Sequence, residues 1–247
     1  MSPIPTCRIR IQRYLPEQQP EPYWQDFEVP FAQDTSVLDA LHHIKEELDA
    51  SLSYRWSCRM AICGSCGLMI DGFPKLACHT FLRDYPQGLT LEPLAHFPLE
   101  KDLMADLSPF LEHLAAIQPY LIRTHPADFD APEPFRQTPL ELNRYKAWAS
   151  CINCGLCYSA CPQFGLNPAF VGPAALVLAQ RYHQDSRDQG LSARLPVLNS
   201  PEGVWSCTFV GFCSTVCPQQ LDPAAGVNQG KVTAARETLL RLLRWEQ

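Results

Sequence analysis

CTFVGFCSTVCP, residues 207–218, nearly repeats CINCGLCYSACP, residues 151–162, but has Val210 where the earlier copy has Cys154. The earlier copy is a C-x2-C-x2-C-x3-C-P run, in which three cysteines hold one cubane iron-sulfur cluster and the fourth reaches across to another. Such a run requires a second, and residues 207–218 supply it in the same register, with Gly211 matching Gly155 and Pro218 matching Pro162. By the crossing rule, Cys151, Cys154 and Cys157 join Cys217 around a 4Fe-4S cluster, while Cys207 and Cys213 join Cys161 around the other. The methyl groups of Val210 cannot bind iron, so the second site has three thiolates and its simplest occupant is a 3Fe-4S cluster. A full cubane with water on the odd iron is the alternative, which a branched apolar side chain disfavours. Cluster type and charge set potential, so the three-thiolate centre is expected to be more oxidising than its neighbour.

Upstream lies a different spacing. Cys58, Cys63 and Cys66 form C-x4-C-x2-C, and Cys78 follows at a distance, which is the plant-type arrangement for a 2Fe-2S cluster. The residues between are small, Ala61, Gly64, Ser65 and Gly67, as they must be if backbone N–H groups are to approach the cluster sulfurs. A zinc site or buried thiols are the plainer alternatives, but structural zinc favours two separated C-x2-C pairs.

Around these motifs, 247 residues suggest two small domains, and a hydrophobic share of 46% fits a folded chain. A net charge of -6 without a basic stripe argues against nucleic acid as a partner. MSPIPTCRIRIQRYLPE lacks the apolar core of a secretory signal, so the chain is expected to be cytoplasmic and not itself membrane-spanning. CRIRIQRY alternates as a half-buried strand, and YWQDFEVPF is its expected partner across a proline-rich turn. Val37, Leu41, Ile44 and Leu48 predict an amphipathic helix over residues 36–50, and GLMIDG predicts a strand and turn. From about residue 100, Leu103, Leu107, Leu111 and Leu114 predict a helix that Pro109 kinks or restarts. The first half therefore reads as mixed and the second as helical. THPADFDAPEPFRQT separates this helix from the first run, where Thr138, Pro139 and Glu141 have the form of a helix start that delivers the chain to Cys151. Asp222 and Pro223 open a final helix whose Leu239, Leu240, Leu242 and Leu243 are available for packing. Cys7, the twelfth cysteine, is expected to be a buried apolar residue. The histidines form no metal-binding spacing, and no nucleotide-binding glycine motif appears.

With all three cysteine groups in view, the chain resembles the iron-sulfur subunit of the succinate dehydrogenase and fumarate reductase family. CRMAICGSCG, Cys78 and the two runs fall in that family's order over essentially the whole length. The resemblance implies an α+β chain, with a β-grasp, plant-ferredoxin-like domain over residues 1–105 and an all-helical, bacterial-ferredoxin-like domain over 106–247. It implies 2Fe-2S, 4Fe-4S and 3Fe-4S clusters in line between a flavoprotein subunit carrying covalent FAD and a quinone site at the membrane. Two small hydrophobic anchor subunits would hold the chain on the cytoplasmic face of the bacterial inner membrane, and fumarate chemistry would lie on the flavoprotein. CPQFGLNPAFVGPAAL is similar to bacterial quinol:fumarate reductases, whereas many succinate dehydrogenases have a tryptophan pair at the places of Gly165 and Leu166 and a histidine at that of Thr208. Menaquinol oxidation with fumarate reduction is therefore the expected direction, with succinate:quinone reduction the rival and an independent soluble ferredoxin-like carrier the alternative of a different class. Asn228, Gln229, Gly230 and Lys231 match the segment that reaches quinone in fumarate reductases, with Asn228 in place of a glutamine. There Lys231 would donate a hydrogen bond or charge to a quinone oxygen; on sequence alone it is a solvated helix lysine.

Overall fold

A computed structural model describes residues 5–124 and 134–245. It divides into two compact units, one of Met1–Leu107 with Ile152–Ala160 and one of Ser108–Cys151 with Cys161–Gln247. The first unit is thus discontinuous in sequence, taking in the middle of the first cubane-type run. Residues 125–133 of the proline-rich segment lie outside the described residues.

In the first unit, β1 (Thr6–Arg13) buries Cys7, Ile9, Ile11 and Arg13 and exposes the alternate residues, so its period of two places one face against a core. It pairs antiparallel with β2 (Tyr23–Pro30), Ile9 facing Phe27. A turn at Asp71 and Gly72 joins β3 (Gly67–Ile70) to β4 (Phe73–Leu76), and β5 (Leu89–Glu92) runs parallel to β1. The sheet order is β2-β1-β5-β3-β4. Helix α1 (Val37–His43) starts at a reciprocal cap between Ser36 and Asp39 and buries Val37, Leu38 and Leu41. It continues as a π turn, Ile44–Leu48, whose wider winding carries Leu48 off the apolar face and leaves it exposed, unlike Ile44.

The leucine spacing after residue 100 does not make a helix at once. Leu99–Lys101 (β6) and Met104–Ala105 (β7) form a short hairpin, and α2 (Ser108–Ala116) begins only after it, with Pro109, whose missing N–H is harmless there, in its first turn. The reason for the hairpin sits at its tip. Asp102, fully buried at φ 46°, accepts from Arg13 Nε at 2.9 Å and from the backbone N–H groups of Tyr14 and Ser53. A helix through 102 would leave Arg13 without this partner.

In the second unit, Thr138 and Glu141 cap α3 (Pro139–Asn143), which is short and leads through turns to a 3-10 turn at Trp148–Ser150. The first unit's α4 (Leu156–Ser159) follows the Cys154 loop. Then come α5 (Pro162–Leu166), α6 (Pro173–His183), α7 (Leu191–Leu198), α8 (Phe212–Thr215) and α9 (Pro223–Trp245). Phe164, Phe170, Leu176, Val177, Leu198 and Val227 are buried in this helical unit, and Arg194 with Asp188 forms a buried ion pair at 2.7 Å. Asp222 begins α9 as expected, its carboxylate accepting from Ala225 N–H at 2.9 Å. Leu239, Leu242 and Leu243, however, are exposed, because α9 runs on past the helices that cover its first turns.

Candidate metal centres

The loop from Cys58 to Cys66 is built around its sulfurs. Arg59, Ala61 and Gly64 all have positive φ, at 59°, 58° and 74°, and non-glycine residues there carry strain of about 1–2 kcal/mol each. That strain turns successive N–H groups inward. Met60, Ile62 and Cys63 N–H donate to Cys58 Sγ at 3.4, 3.4 and 3.3 Å, Ala61 N–H to Cys78 Sγ at 3.3 Å, and Cys78 N–H to Cys66 Sγ at 3.5 Å. Cys58 N–H donates to Cys63 Sγ at 3.5 Å. Burial pushes the Cys66 thiol up, and the nearby Cys78 and Cys63 charges add to the rise. Four sulfurs within one another's field, each approached by N–H donors, suit thiolates whose charge is balanced by iron. The donor set and its cradle fit a 2Fe-2S group. Among the described residues, no three His, Cys, Asp or Glu side chains gather as a site for a single metal ion.

A support for this loop was not legible in the sequence. Arg59 Nη2 donates to His42 Nε2 at 3.2 Å and lies over the Trp56 ring, with Cζ 4.7 Å from its centroid. The opposite ring nitrogen, Nδ1, then donates to the Tyr54 hydroxyl at 2.6 Å. Burial, with the Arg59 charge, lowers the His42 pKa and favours this neutral acceptor form. These residues share no spacing, so only the fold could reveal them.

The two cubane-type runs, read separately, have the same local backbone. A 3-10 turn precedes each, Trp148–Ser150 and Val204–Ser206. Asn153 and Phe209 both have positive φ, 53° and 60°, as do Gly155 and Gly211, 78° and 86°. Each glycine then starts a four-residue helix, with matching bonds from Tyr158 N–H to Gly155 O and from Ser214 N–H to Gly211 O, both 3.0 Å. Replacing Cys154 by Val210 has therefore left the loop's shape intact, and the gap in the repeat is a changed side chain on an unchanged cradle.

Cys161, Cys207 and Cys213, all in the second unit, line one cavity together with Val210, Phe170, Ala224 and Val227. Burial raises Cys161 and pushes Cys213 up to about 11, with the charges of the other two cysteines adding to the latter. The structure thus brings these three thiols together in apolar surroundings, and the donor set fits a cluster held by three thiolates. Among the remaining run cysteines, Cys157 is buried on α4, while Cys151, Cys154 and Cys217 are half-buried. Cys7 is buried on β1, where burial and the Asp71 charge raise its thiol pKa.

The segment from Asn228 to Lys231 is divided by its helix. Lys231 Nζ donates to the Cys207 carbonyl at 2.7 Å, so its amine lies against the three-thiol loop. Asn228, three residues earlier, shares that side of α9 and is exposed. Gln229 lines a different cavity with Gln180, His183, Thr233 and Arg236, and Gly230 is buried near Val204.

Residues 8–112 match the family model of a 2Fe-2S iron-sulfur cluster binding domain, and residues 147–221 that of a 4Fe-4S dicluster domain. Over 253 residues, 99% of each protein, the chain is 52% identical to the fumarate reductase iron-sulfur subunit of Haemophilus influenzae. Over 245 residues, again 99% of each, it is 53% identical to the fumarate reductase iron-sulfur subunit of Escherichia coli O6:H1. Its fold matches a chain of the Mycobacterium smegmatis Sdh1 complex in the apo form with a TM-score of 0.83, covering 94% of this chain and 96% of that one at 24% identity.

Proposed function

The chain belongs to the iron-sulfur subunit family of fumarate reductases and succinate dehydrogenases, and from that premise we propose that it carries electrons from membrane menaquinol to a flavoprotein that reduces fumarate. Electron transfer within an oxidoreductase complex is the family's role, and such a complex includes flavoprotein and membrane subunits. Among the described residues, no helix is long and apolar enough to cross a membrane. The finer reading places the chain at the cytoplasmic face of a bacterial inner membrane, between a covalent-FAD subunit and two small hydrophobic anchors.

The ligand sets of this reading are Cys58, Cys63, Cys66 and Cys78 for 2Fe-2S; Cys151, Cys154, Cys157 and Cys217 for 4Fe-4S; and Cys161, Cys207 and Cys213 for 3Fe-4S. The observation that carries it is the Val210 loop, which keeps the backbone of a four-cysteine run while only three thiols line its cavity. Bound clusters supply one-electron oxidation and reduction without bond changes. The residues of the chain space the centres and aim N–H groups at sulfur. Val210, Phe170 and Val227 give the three-thiol site an apolar wall, while Lys231 sets a cation beside the Cys207 loop. Asn228 and Lys231 together form the chain's contribution to quinol binding.

EPR spectroscopy of the purified complex during graded reduction tests the cluster reading. Three signals are expected, one of them an oxidised 3Fe-4S resonance, and two or fewer would refute it. Assay in both directions tests the chemistry: a strong preference for succinate oxidation would exclude the fumarate-reducing direction.

A further inference from the structure

We infer that Gly64 sets the electron path between the first two cysteine groups by allowing the 58–66 loop to lie directly on the backbone of Cys154. The inference rests on the reading of Cys154 as a 4Fe-4S ligand, and adds a role for a residue that ligates nothing. Both residues belong to the first unit. A Cβ at Gly64 would lie 2.6 Å from Cys154 Cβ and 2.8 Å from its Cα, closer than real side chains come, and 3.3 Å from its N. Backbone cannot yield as a flexible side-chain tip can, so any larger residue must push the two loops apart.

Positive φ alone does not explain this glycine. Gly72 has the same φ, 74°, yet a Cβ there would meet nothing within 4 Å. Gly67 shows that the approach is extended and not a single touching point. Its Cβ would lie 3.1 Å from Leu156 Cδ2 and 3.4 Å from the Cys154 carbonyl oxygen.

The consequence is a route with one contact gap. Gly64 is bonded to Cys63, a member of the first set, and touches Cys154, a member of the second. One electron leaves the reduced 4Fe-4S group and arrives at the oxidised 2Fe-2S group, with no bond made or broken and no proton moved. Tunnelling weakens steeply with each added through-space gap, so a methyl group that separates these loops must slow the transfer.

The test uses the whole purified complex with Gly64→Ala, and with Gly72→Ala as a variant having the same backbone strain but free space. Two readouts are taken: the relaxation enhancement of the reduced 2Fe-2S EPR signal by the reduced 4Fe-4S centre, and the rate of electron transfer between them after pulsed reduction. In Gly64→Ala the enhancement should weaken and the rate should fall several-fold with both signals retained, while Gly72→Ala behaves as wild type. Unchanged coupling and rate in Gly64→Ala would overturn the inference. Should Gly64→Ala fail to assemble its 2Fe-2S centre, Gly67→Val, at ordinary φ and with methyl groups that press on the Cys154 carbonyl oxygen beyond the yielding Leu156 tip, decides by the same two readouts. Cys154→Ser probes the underlying ligand assignment independently. An unaltered 4Fe-4S spectrum there would sink that assignment, whereas an altered spectrum beside unchanged coupling in Gly64→Ala would sink only the role of Gly64.

Discussion

Lys231 Nζ donates to the carbonyl of Cys207 at 2.7 Å, tying the middle of α9 to the first residue of the three-thiol loop. A charge-assisted bond of this kind contributes roughly 1–2 kcal/mol at a half-buried place, and its cation favours the more negative, reduced state of an adjacent centre. Lys231→Met should therefore lower the 3Fe-4S midpoint potential, and Lys231→Arg should restore most of the difference. Redox titration followed by EPR reads this directly. If the midpoint stays put while KM for menaquinol rises, Lys231 serves the quinone and not the loop.

Val210→Cys should convert the three-thiol site to a four-iron one. The backbone already has the conformation of the four-cysteine run, with Phe209 and Gly211 at positive φ as in Asn153 and Gly155, so the new thiol needs no rearrangement. Loss of the oxidised 3Fe-4S resonance, a lower potential and slower uptake of electrons from quinol are the expected results. Persistence of the resonance would mean that something other than the missing thiolate sets the cluster type.

Asp102→Leu should destabilise the first unit by about 3–5 kcal/mol, because fully buried Arg13 loses one of its two carboxylate partners and the N–H groups of Tyr14 and Ser53 lose their acceptor. The expected readout is a lowered denaturant midpoint for loss of visible cluster absorbance. Adding Arg13→Met should recover only part of the loss. Asp49, at 2.6 Å from Arg13, would lose that cation while keeping its bonds from Ser51, and the N–H groups of Tyr14 and Ser53 would still lack their acceptor. Full recovery in the double variant would show that these secondary bonds contribute nothing.

Cys7→Val should be nearly silent. The thiol is buried on the core face of β1 and raised in pKa by burial, and a substitution of similar volume costs below about 1.5 kcal/mol. All cluster signals and their potentials should remain. A shifted signal would assign Cys7 a redox part that its packing gives no reason to expect.

Much of the fold was legible because its signals are periodic. Cys7, Ile9 and Ile11 alternate and form a strand, and Thr138 with Glu141, and Asp222, start helices where local hydrogen bonding requires. The misread places are those where a distant partner or an altered helical winding overrides the local pattern. Leu103 has helical spacing with Leu107, but the buried bond from Arg13 to Asp102 holds its chain in a hairpin. Leu48 continues a helical row, but the π turn rotates it into solvent.

The candidate sites divide in the same way. Ligand spacing lies along the chain, because a cluster of fixed size must be wrapped by a short loop, and so the three cysteine groups and the odd Val210 could be read in one dimension. What the sequence could not contain is which backbone touches which. That Gly64 abuts Cys154, that Lys231 reaches Cys207 while Gln229 turns away, and that His42 props Arg59 all depend on packing between segments far apart in the chain. Spacing along the chain determined how the cysteines group; tertiary packing decided how closely the 58–66 loop approaches Cys154 and which charges stand beside the cysteine loops, since tunnelling and electrostatics depend on distances in space.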